Sequence, residues 1–386
     1  MNKPLFSVVV LVYRHYEHLK TAVNSVLEQD YENIELIISD DGSSNFPARK
    51  IEEYIEQNKR ENIRSVTVRC EPQNVGTVRH INHVKEYCKG QYLIFLAGDD
   101  ALYNAQVLTN YYEGFQKAPE GCCIEMAQTA MFDEKLEKLM GYYMSKPVQD
   151  AVVETAINTD ALKKMLAMYG ACLPTTSTCF KREFFERFGD CNEEYKLVED
   201  FPMHCRLANE GWVIHYVNRV TIKHRDGGIS HGQSDTLSAS ARSYYSDLLK
   251  MDQEMVMPLV EQLPPEEQKF ARRHWKKDIR WLDMNLHRED KSLKQRAYRL
   301  AYYLKHNFKN IEAQRDVLLK FFMVFCVAKG WIEQMYLQAF AMDVHYIFNA
   351  VMVCVLILYA LLSAMACMRH FVWKIKAFPW EVISRG

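Results

Sequence analysis

The run Leu93-Ile94-Phe95-Leu96 is uninterrupted apolar sequence, and two residues later the chain reaches Gly98-Asp99-Asp100. That change limits the folds open to the chain. A short apolar run reads as a strand buried on both faces, which places it in a parallel sheet covered by helices. Parallel sheets collect their ligands at the C-terminal ends of their strands. Two adjacent carboxylates there, with no basic neighbour, repel each other. A divalent cation relieves the repulsion, and carboxylates suit Mg2+ or Mn2+. A polar turn closing a strand is the plainer alternative, and the tripeptide alone does not separate the two.

The chain around this stretch alternates in period. Phe6 to Val12 is a β-branched run, hence a strand. Leu19, Ala22, Val23, Val26 and Leu27 follow with the spacing of one helix face. Ile34 to Ile38 is a second strand, ending in Ser39-Asp40-Asp41-Gly42-Ser43-Ser44. Pro47 suits the first turn of a helix whose apolar face is Ile51, Tyr54 and Ile55. Ile63 to Cys70 alternates as a third strand, and Val78, Ile81 and Val84 mark a third helix. Alternation of this kind predicts a parallel sheet with helices on both faces. Two of its strands end in paired aspartates, so both pairs belong on one rim, as in a nucleotide and metal site.

After Asp100 the pattern loosens. The spacing predicts a helix over 107–115, a strand over 122–130, a helix over 160–168 and a loop over 169–178. Glu199-Asp200 opens a further helix that Gly211 closes. Acids in a first turn also serve the helix dipole, which is the structural alternative for this pair. Two short strands are expected over 212–217 and 220–223, then the polar loop His224 to His231. From Ser238 onward only helices are expected, at 248–263, 266–286 and 293–303. Basic clusters and interspersed aromatics make these helices amphipathic, which suits a membrane interface as well as an ordinary solvated face.

Charge is divided along the 386 residues: 1–260 carry a net -9 and 261–330 a net +7. An acidic front half argues against a nucleic acid partner, and a basic back half suits an anionic membrane surface. Eleven cysteines with no Cys-x-x-Cys indicate a reducing compartment and no zinc site. Phe6 to Val12 is too short for a signal peptide. Ile347 to Met368 holds no Asp, Glu, Lys or Arg, and its length suffices to span a bilayer. Three regions are expected on these grounds: 1–235 catalytic, 236–330 helical and basic, and 331–386 membrane-associated.

Taken in order, Ser7-Val8-Val9-Val10, Ser39-Asp40-Asp41-Gly42-Ser43-Ser44, Asn74-x-Gly76 with Asn82, Gly98-Asp99-Asp100 and Glu199-Asp200 resemble the motifs of family 2 glycosyltransferases of the GT-A fold. The resemblance covers roughly residues 5–231. It implies a Rossmann-like nucleotide-binding sheet and an inverting transfer of a sugar from a nucleotide-diphosphate sugar, a UDP-sugar first among the donors. On that resemblance Asp41, with Asp40 beside it, meets the nucleobase, and Arg79 reaches the nucleotide. Asp99 faces the ribose or the metal, and Asp100 holds Mn2+ or Mg2+ on the diphosphate. Asp200 is the base, Glu199 positions the acceptor or the base, and His224 joins the metal or diphosphate, with His231 as its rival. Thr175 to Thr178 fall where the family places its acceptor-side loop.

The chain departs from the family pattern in two places. Tyr13-Arg14 follows the first strand where the family often has Tyr-Asn. An aliphatic, Leu11 or Val12, stands where a hydroxyl often supports the base. The implied acceptor is a glycan or lipid-linked oligosaccharide of a surface polysaccharide, with the enzyme on the cytosolic face of the cell membrane. A sugar-phosphate nucleotidyltransferase would need a Gly-rich, basic loop after the first strand, and Tyr13 to Tyr16 lacks one. A non-catalytic scaffold would not need the full set of acids.

Overall fold

A computed structural model describes residues 3–226, apart from 15, and 238–299, apart from 288, 291 and 296. The chain divides into two compact units, Met1–Glu289 and Asp290–Gly386, and the first contains the sheet. It opens as the alternating pattern predicts: β1 (Phe6–Val12), α1 (Leu19–Leu27), β2 (Ile34–Asp40), α2 (Ala48–Asn58), β3 (Ile63–Cys70), α3 (Thr77–Lys85) and β4 (Tyr92–Ala97). Then follow β5 (Ala101–Leu102), α4 (Val107–Phe115), β6 (Ile124–Phe132), β7 (Leu139–Tyr142), α5 (Lys146–Thr155), α6 (Asp160–Tyr169), β8 (Thr178–Lys181), α7 (Arg182–Phe188), α8 (Asp200–Glu210) and β9 (His215–Arg225). The helices α9 (Ala239–Met251), α10 (Met257–Val260) and α11 (Pro265–Leu286) complete the unit, with one π-helical turn, Asp252–Val256, between α9 and α10.

The strands form one sheet in the order β3-β2-β1-β4-β8-β6-β9-β5, with β7 paired to β6. The first four in that order are mutually parallel. β8 runs antiparallel to both β4 and β6, so β6 returns to the direction of β4, and β9 runs parallel to β6. The C-terminal ends of β1, β2, β4, β6 and β9 therefore share one rim. The start of β8 lies on that rim as well.

Strand residues alternate between two cores. Val8 and Val10 of β1 join Ile94 and Leu96 of β4 in a cluster with Ala22, Val26, Leu108 and Tyr111. Val9, Leu93 and Phe95 point the other way, into a cluster with Val78, Ile81, Leu166, Phe184 and Phe201. This is the two-fold periodicity of a strand covered on both faces. The second core does not stop near residue 235. Met251, Val260, Ala271 and Trp275 belong to it, and the Trp275 Nε1 donates to the Ala167 carbonyl at 2.7 Å. Helices α9 to α11 are thus packed onto the sheet unit.

Three local patterns concealed their outcome. The two strands expected over 212–223 are one strand, β9, whose register against β6 bulges where Met126 faces Tyr216 and Gln128 faces Val220. The helix expected over 248–263 is the end of α9, the π turn and α10. β7, β8 and α7, at four to seven residues, are too short for periodicity to mark, and α5 buries only Val148, Val152 and Thr155, too sparse a stripe to show in the sequence. The eight described cysteines are free. No helix among the described residues is long and apolar enough to cross a membrane. The run 347–368, the helix expected over 293–303 beyond residue 299, and His231 lie outside the described residues.

Candidate active site

Two of the acidic corners are built on the last residues of one strand. Val12 pairs with Asp40 and Leu11 with Ala97 in the sheet register. The Asp41 amide donates to the Val12 carbonyl and the Gly98 amide to the Leu11 carbonyl, each at 2.8 Å. Asp40-Asp41 and Asp99-Asp100 therefore flank the end of β1, one strand away on either side.

At the first corner the carboxylates hold the loops in place. Asp41 is almost fully buried; its Oδ2 accepts from the Asn74 Nδ2 at 2.7 Å and the Gly76 amide at 3.0 Å, and its Oδ1 accepts from the Val75 amide at 2.8 Å. Burial raises its pKa, against the pull of these amide donors. Asp40 accepts from the Ser43 amide and hydroxyl at 2.6 and 2.7 Å, and from the Tyr16 hydroxyl at 3.4 Å. A carboxylate offers about four acceptor positions. Oδ1 of Asp41, with one donor, retains room for another.

At the second corner a fully buried Asp100 bridges two strands. Its Oδ2 lies 2.9 Å from the Nδ1 of His224, and its Oδ1 accepts from the Arg225 amide at 3.0 Å. The Arg225 Nε donates to the Asp99 carbonyl at 2.8 Å, and its guanidinium also reaches the Glu134 carbonyl. Burial pushes the Asp100 carboxyl up and pulls the imidazole of His224 down. The hydrogen bond and charge of Asp100, with the charges of Asp99 and Asp226, more than reverse the latter, so His224 sits above its ordinary pKa. Asp99 is half-buried, and its carboxylate accepts no hydrogen bond among the described residues.

Glu199 and Asp200 form the third corner, at the start of α8. Each is half-exposed, yet the surroundings are dense enough that burial raises both carboxyls. The charge of Asp200 adds to this at Glu199, which is pushed up to about 8. The Phe201 amide donates to the Asp200 Oδ1 at 2.7 Å, and Oδ2 has no donor among the described residues. The charge of Asp200 reaches Tyr143, Cys172 and Tyr244; burial first and that charge second lift Tyr244 to about 12. The Tyr143 amide donates to the Thr129 carbonyl on β6 at 3.0 Å. Along β6, Met131 pairs with His224. The third corner thereby connects to the same rim as the second.

Residues 7–189 match the family model described as Glycosyl transferase family 2. This part of the chain is a family 2 glycosyltransferase domain. An uncharacterized glycosyltransferase of Haemophilus influenzae is 36% identical over 104 residues, which are 27% of this chain and 40% of that protein. A second uncharacterized H. influenzae glycosyltransferase is 22% identical over 264 residues, 65% of this chain and 77% of that one. The chain thus spans less than half the length of the first of these relatives. Among solved structures, residues 1–349 of S. aureus TarS in complex with UDP-GlcNAc align with a TM-score of 0.47 and 15% identity, over 81% of this chain and 80% of that one. The mannosyltransferase PcManGT of Pyrobaculum calidifontis, in complex with GDP-Man and Mn2+, aligns with a TM-score of 0.47 and 14% identity, over 79% and 81%.

The remaining expected residues have specific surroundings. Arg79 is exposed, its Nε 3.0 Å from the Glu193 carboxylate. In the 175–178 loop Ser177 ties to β6: the Thr129 hydroxyl donates to Ser177 at 2.9 Å, and Ser177 to the Ala127 carbonyl at 2.8 Å; the Thr178 hydroxyl donates to the Pro174 carbonyl at 2.9 Å, and that of Thr175 has no hydrogen-bond partner among the described residues. Pattern reading passed over Arg225, Tyr143 and Tyr244. Arg225 stood beside His224 in a polar loop, and its near-complete burial was the missing clue. The two tyrosines come from a hairpin and a late helix, and nothing in their local sequence ties them to Asp200.

The donor set suits the cation that the resemblance implies. The Nδ1 of His224 is held by Asp100, leaving Nε2, and Asp99 offers a carboxylate beside it. Ligating histidines commonly have a carboxylate behind them in this way. Among the described residues no group of three or more His, Cys, Asp and Glu is placed to cage a metal. Mg2+ sites on nucleotides take one or two carboxylates, with the substrate phosphates supplying the rest.

Proposed function

We propose that this rim moves a sugar from a nucleotide-diphosphate sugar to a hydroxyl of a glycan or lipid-linked acceptor, with inversion at the anomeric carbon. The observation that carries this reading is the Glu199-Asp200 pair. It supplies a carboxylate with a free oxygen, near Tyr143 and Tyr244, on a segment connected to the rim that bears Asp99, Asp100 and His224.

Asp200 Oδ2 takes the proton of the acceptor hydroxyl as that oxygen bonds to the anomeric carbon. The bond from carbon to the diphosphate oxygen breaks, and its electron pair leaves on the nucleoside diphosphate. One direct displacement inverts the centre and needs no carboxylate nucleophile. Burial and the charge of Asp200 push the Glu199 carboxyl up to about 8, which favours a proton on Glu199 and a hydrogen bond from it to the acceptor. The free position on Asp41 Oδ1 suits the imide N–H of a uracil, which favours a UDP-sugar. Asp99 and the Nε2 of His224 would hold Mn2+ or Mg2+, with Asp100 orienting the imidazole. The cation would stabilise charge developing on the leaving diphosphate. We place the enzyme on the cytosolic face of the cell membrane in surface polysaccharide synthesis, with 347–368 as its attachment.

A panel of uridine, thymidine and guanosine diphosphate sugars tests the reaction, with Mn2+ or with EDTA, scored by release of nucleoside diphosphate. Release from one donor that EDTA suppresses is expected. No release or transfer with any donor in Mn2+ would overturn the assignment. The state of Glu199 is tested separately. Its carboxyl, pushed up to about 8, gives up its proton as pH rises through that range. Glutamine is neutral throughout, so Glu199→Gln is expected to retain most activity at pH 7 and to lose the inflection near pH 8 in the rate profile.

A further inference from the structure

The solvent side of α11 has a composition unlike the rest of the domain. Between 269 and 281 its exposed positions include five cations, Lys269, Arg273, Lys276, Lys277 and Arg280. The other two are Phe270 and Trp281, 61% and 42% exposed. No exposed acid interrupts them. Asp278, the single acid of this stretch, is half-buried and lies 3.3 Å from the Nε2 of His274. Arg272 turns aside to Glu261. On the opposite side Ala271, Trp275 and Leu282 are buried.

The spacing makes this a surface and not a scatter. Lys269, Arg273, Lys276 and Arg280 follow one another at intervals of four, three and four, a single stripe along about 16 Å of helix. Phe270, Lys277 and Trp281 form the stripe beside it. Like charges at i, i+4 weaken a helix. Among the described residues, none of Lys269, Arg273, Lys276 and Arg280 has an ion-pair partner. α11 as a whole holds six Lys+Arg and four Asp+Glu, so it is the sorting of the cations onto one face, and not a large net charge, that makes the stripe positive. The stripe runs along one convex helix with no groove for a nucleic acid strand. A flat anionic surface matches its shape and sign, and aromatic residues beside cations suit the headgroup boundary.

We propose that the outer face of α11 docks the domain on an anionic lipid bilayer, its cations against headgroup phosphates and Phe270 and Trp281 entering the interface. This rests on the face itself and not on the sugar-transfer reading.

Co-sedimentation of the full chain with phosphatidylcholine vesicles, with and without phosphatidylglycerol, at physiological salt tests it. The apolar run 347–368 would attach to either composition alike, so the difference between the two reports charge, which the charge-reversal variants then assign to this face or to another. Wild type is expected to prefer the anionic vesicles. R273E/K276E/R280E is expected to lower partition into them by about 100-fold or more, at roughly fivefold for each cation lost, with phosphatidylcholine binding unchanged. R64E/K89E/K117E alters net charge equally at exposed positions elsewhere and is expected to change partition far less. F270A/W281A is expected to weaken binding to the anionic vesicles as well. Circular dichroism confirms that each variant is folded. Equal binding to the two compositions, equal losses in the two triple variants, or preference for a single-stranded oligonucleotide over anionic vesicles would each overturn the proposal.

Discussion

Asp200→Asn is expected to lower the rate of sugar transfer by about 10²–10⁴, the usual contribution of a positioned general base, while thermal unfolding stays close to wild type. The two effects separate because the two oxygens of Asp200 do different things. Oδ1 accepts the Phe201 amide at 2.7 Å at the start of α8, and the carbonyl oxygen of asparagine can do the same. Oδ2 has no donor among the described residues, and asparagine places there an amide that cannot take a proton. Initial rates of transfer to a hydroxyl acceptor, measured beside slow donor hydrolysis, check the expectation. An Asp200→Asn enzyme as fast as wild type would mean that the acceptor proton goes elsewhere, and the pair would revert to a role at the helix terminus.

The second large effect is expected at Gly42, within the Asp-Asp-Gly corner. Its φ of +73° lies in the left-handed region, and a Cβ there would stand 2.1 Å from the Gln73 carbonyl carbon and 2.4 Å from the Asn74 amide nitrogen. Both are backbone atoms, so no side chain can swing away. Gly42→Ala is expected to cost roughly 2–5 kcal/mol, combining left-handed strain with overpacking. That corresponds to a fall in Tm of roughly 5–15 °C. Nucleotide affinity should fall too, because the 73–76 loop is the one Asp41 clasps. Gly211, with φ +74° and nothing within 4 Å of its would-be Cβ, separates the two causes. Gly211→Ala carries the backbone strain alone, about 1–2 kcal/mol. Equal Tm values for the two variants would mean that the corner and the 73–76 loop are not in contact.

The half of the chain most legible in its residues was the first. β1, β2 and β4 are buried nearly throughout, while β3, largely exposed, begins and ends where alternation places it, at Ile63 and Cys70. The C-terminal position of both aspartate pairs follows from strand order alone, since parallel strands share their ends. Legibility failed where elements are short or their partners distant. β8 has four residues, and its antiparallel placement between β4 and β6 depends on pairing across many residues of chain. α9 to α11 gave helical periods but no sign that Met251, Val260 and Trp275 would close the same core as Val9 and Phe95.

At the site the division is similar. That acids would collect on one rim was contained in the alternation of apolar runs and Asp-Asp corners, because a strand's period and direction are local properties. What each acid does there was not. Asp40 and Asp41 spend most of their acceptor capacity on Ser43, Asn74, Val75 and Gly76. Asp100 is enclosed by His224 and Arg225, which lie more than a hundred residues away. The Glu199 carboxyl is pushed up only because α8 starts inside dense surroundings next to Asp200. Hydrogen-bond partners and desolvation are set by which distant segments meet, and those meetings exist only once the sheet has brought its strands side by side.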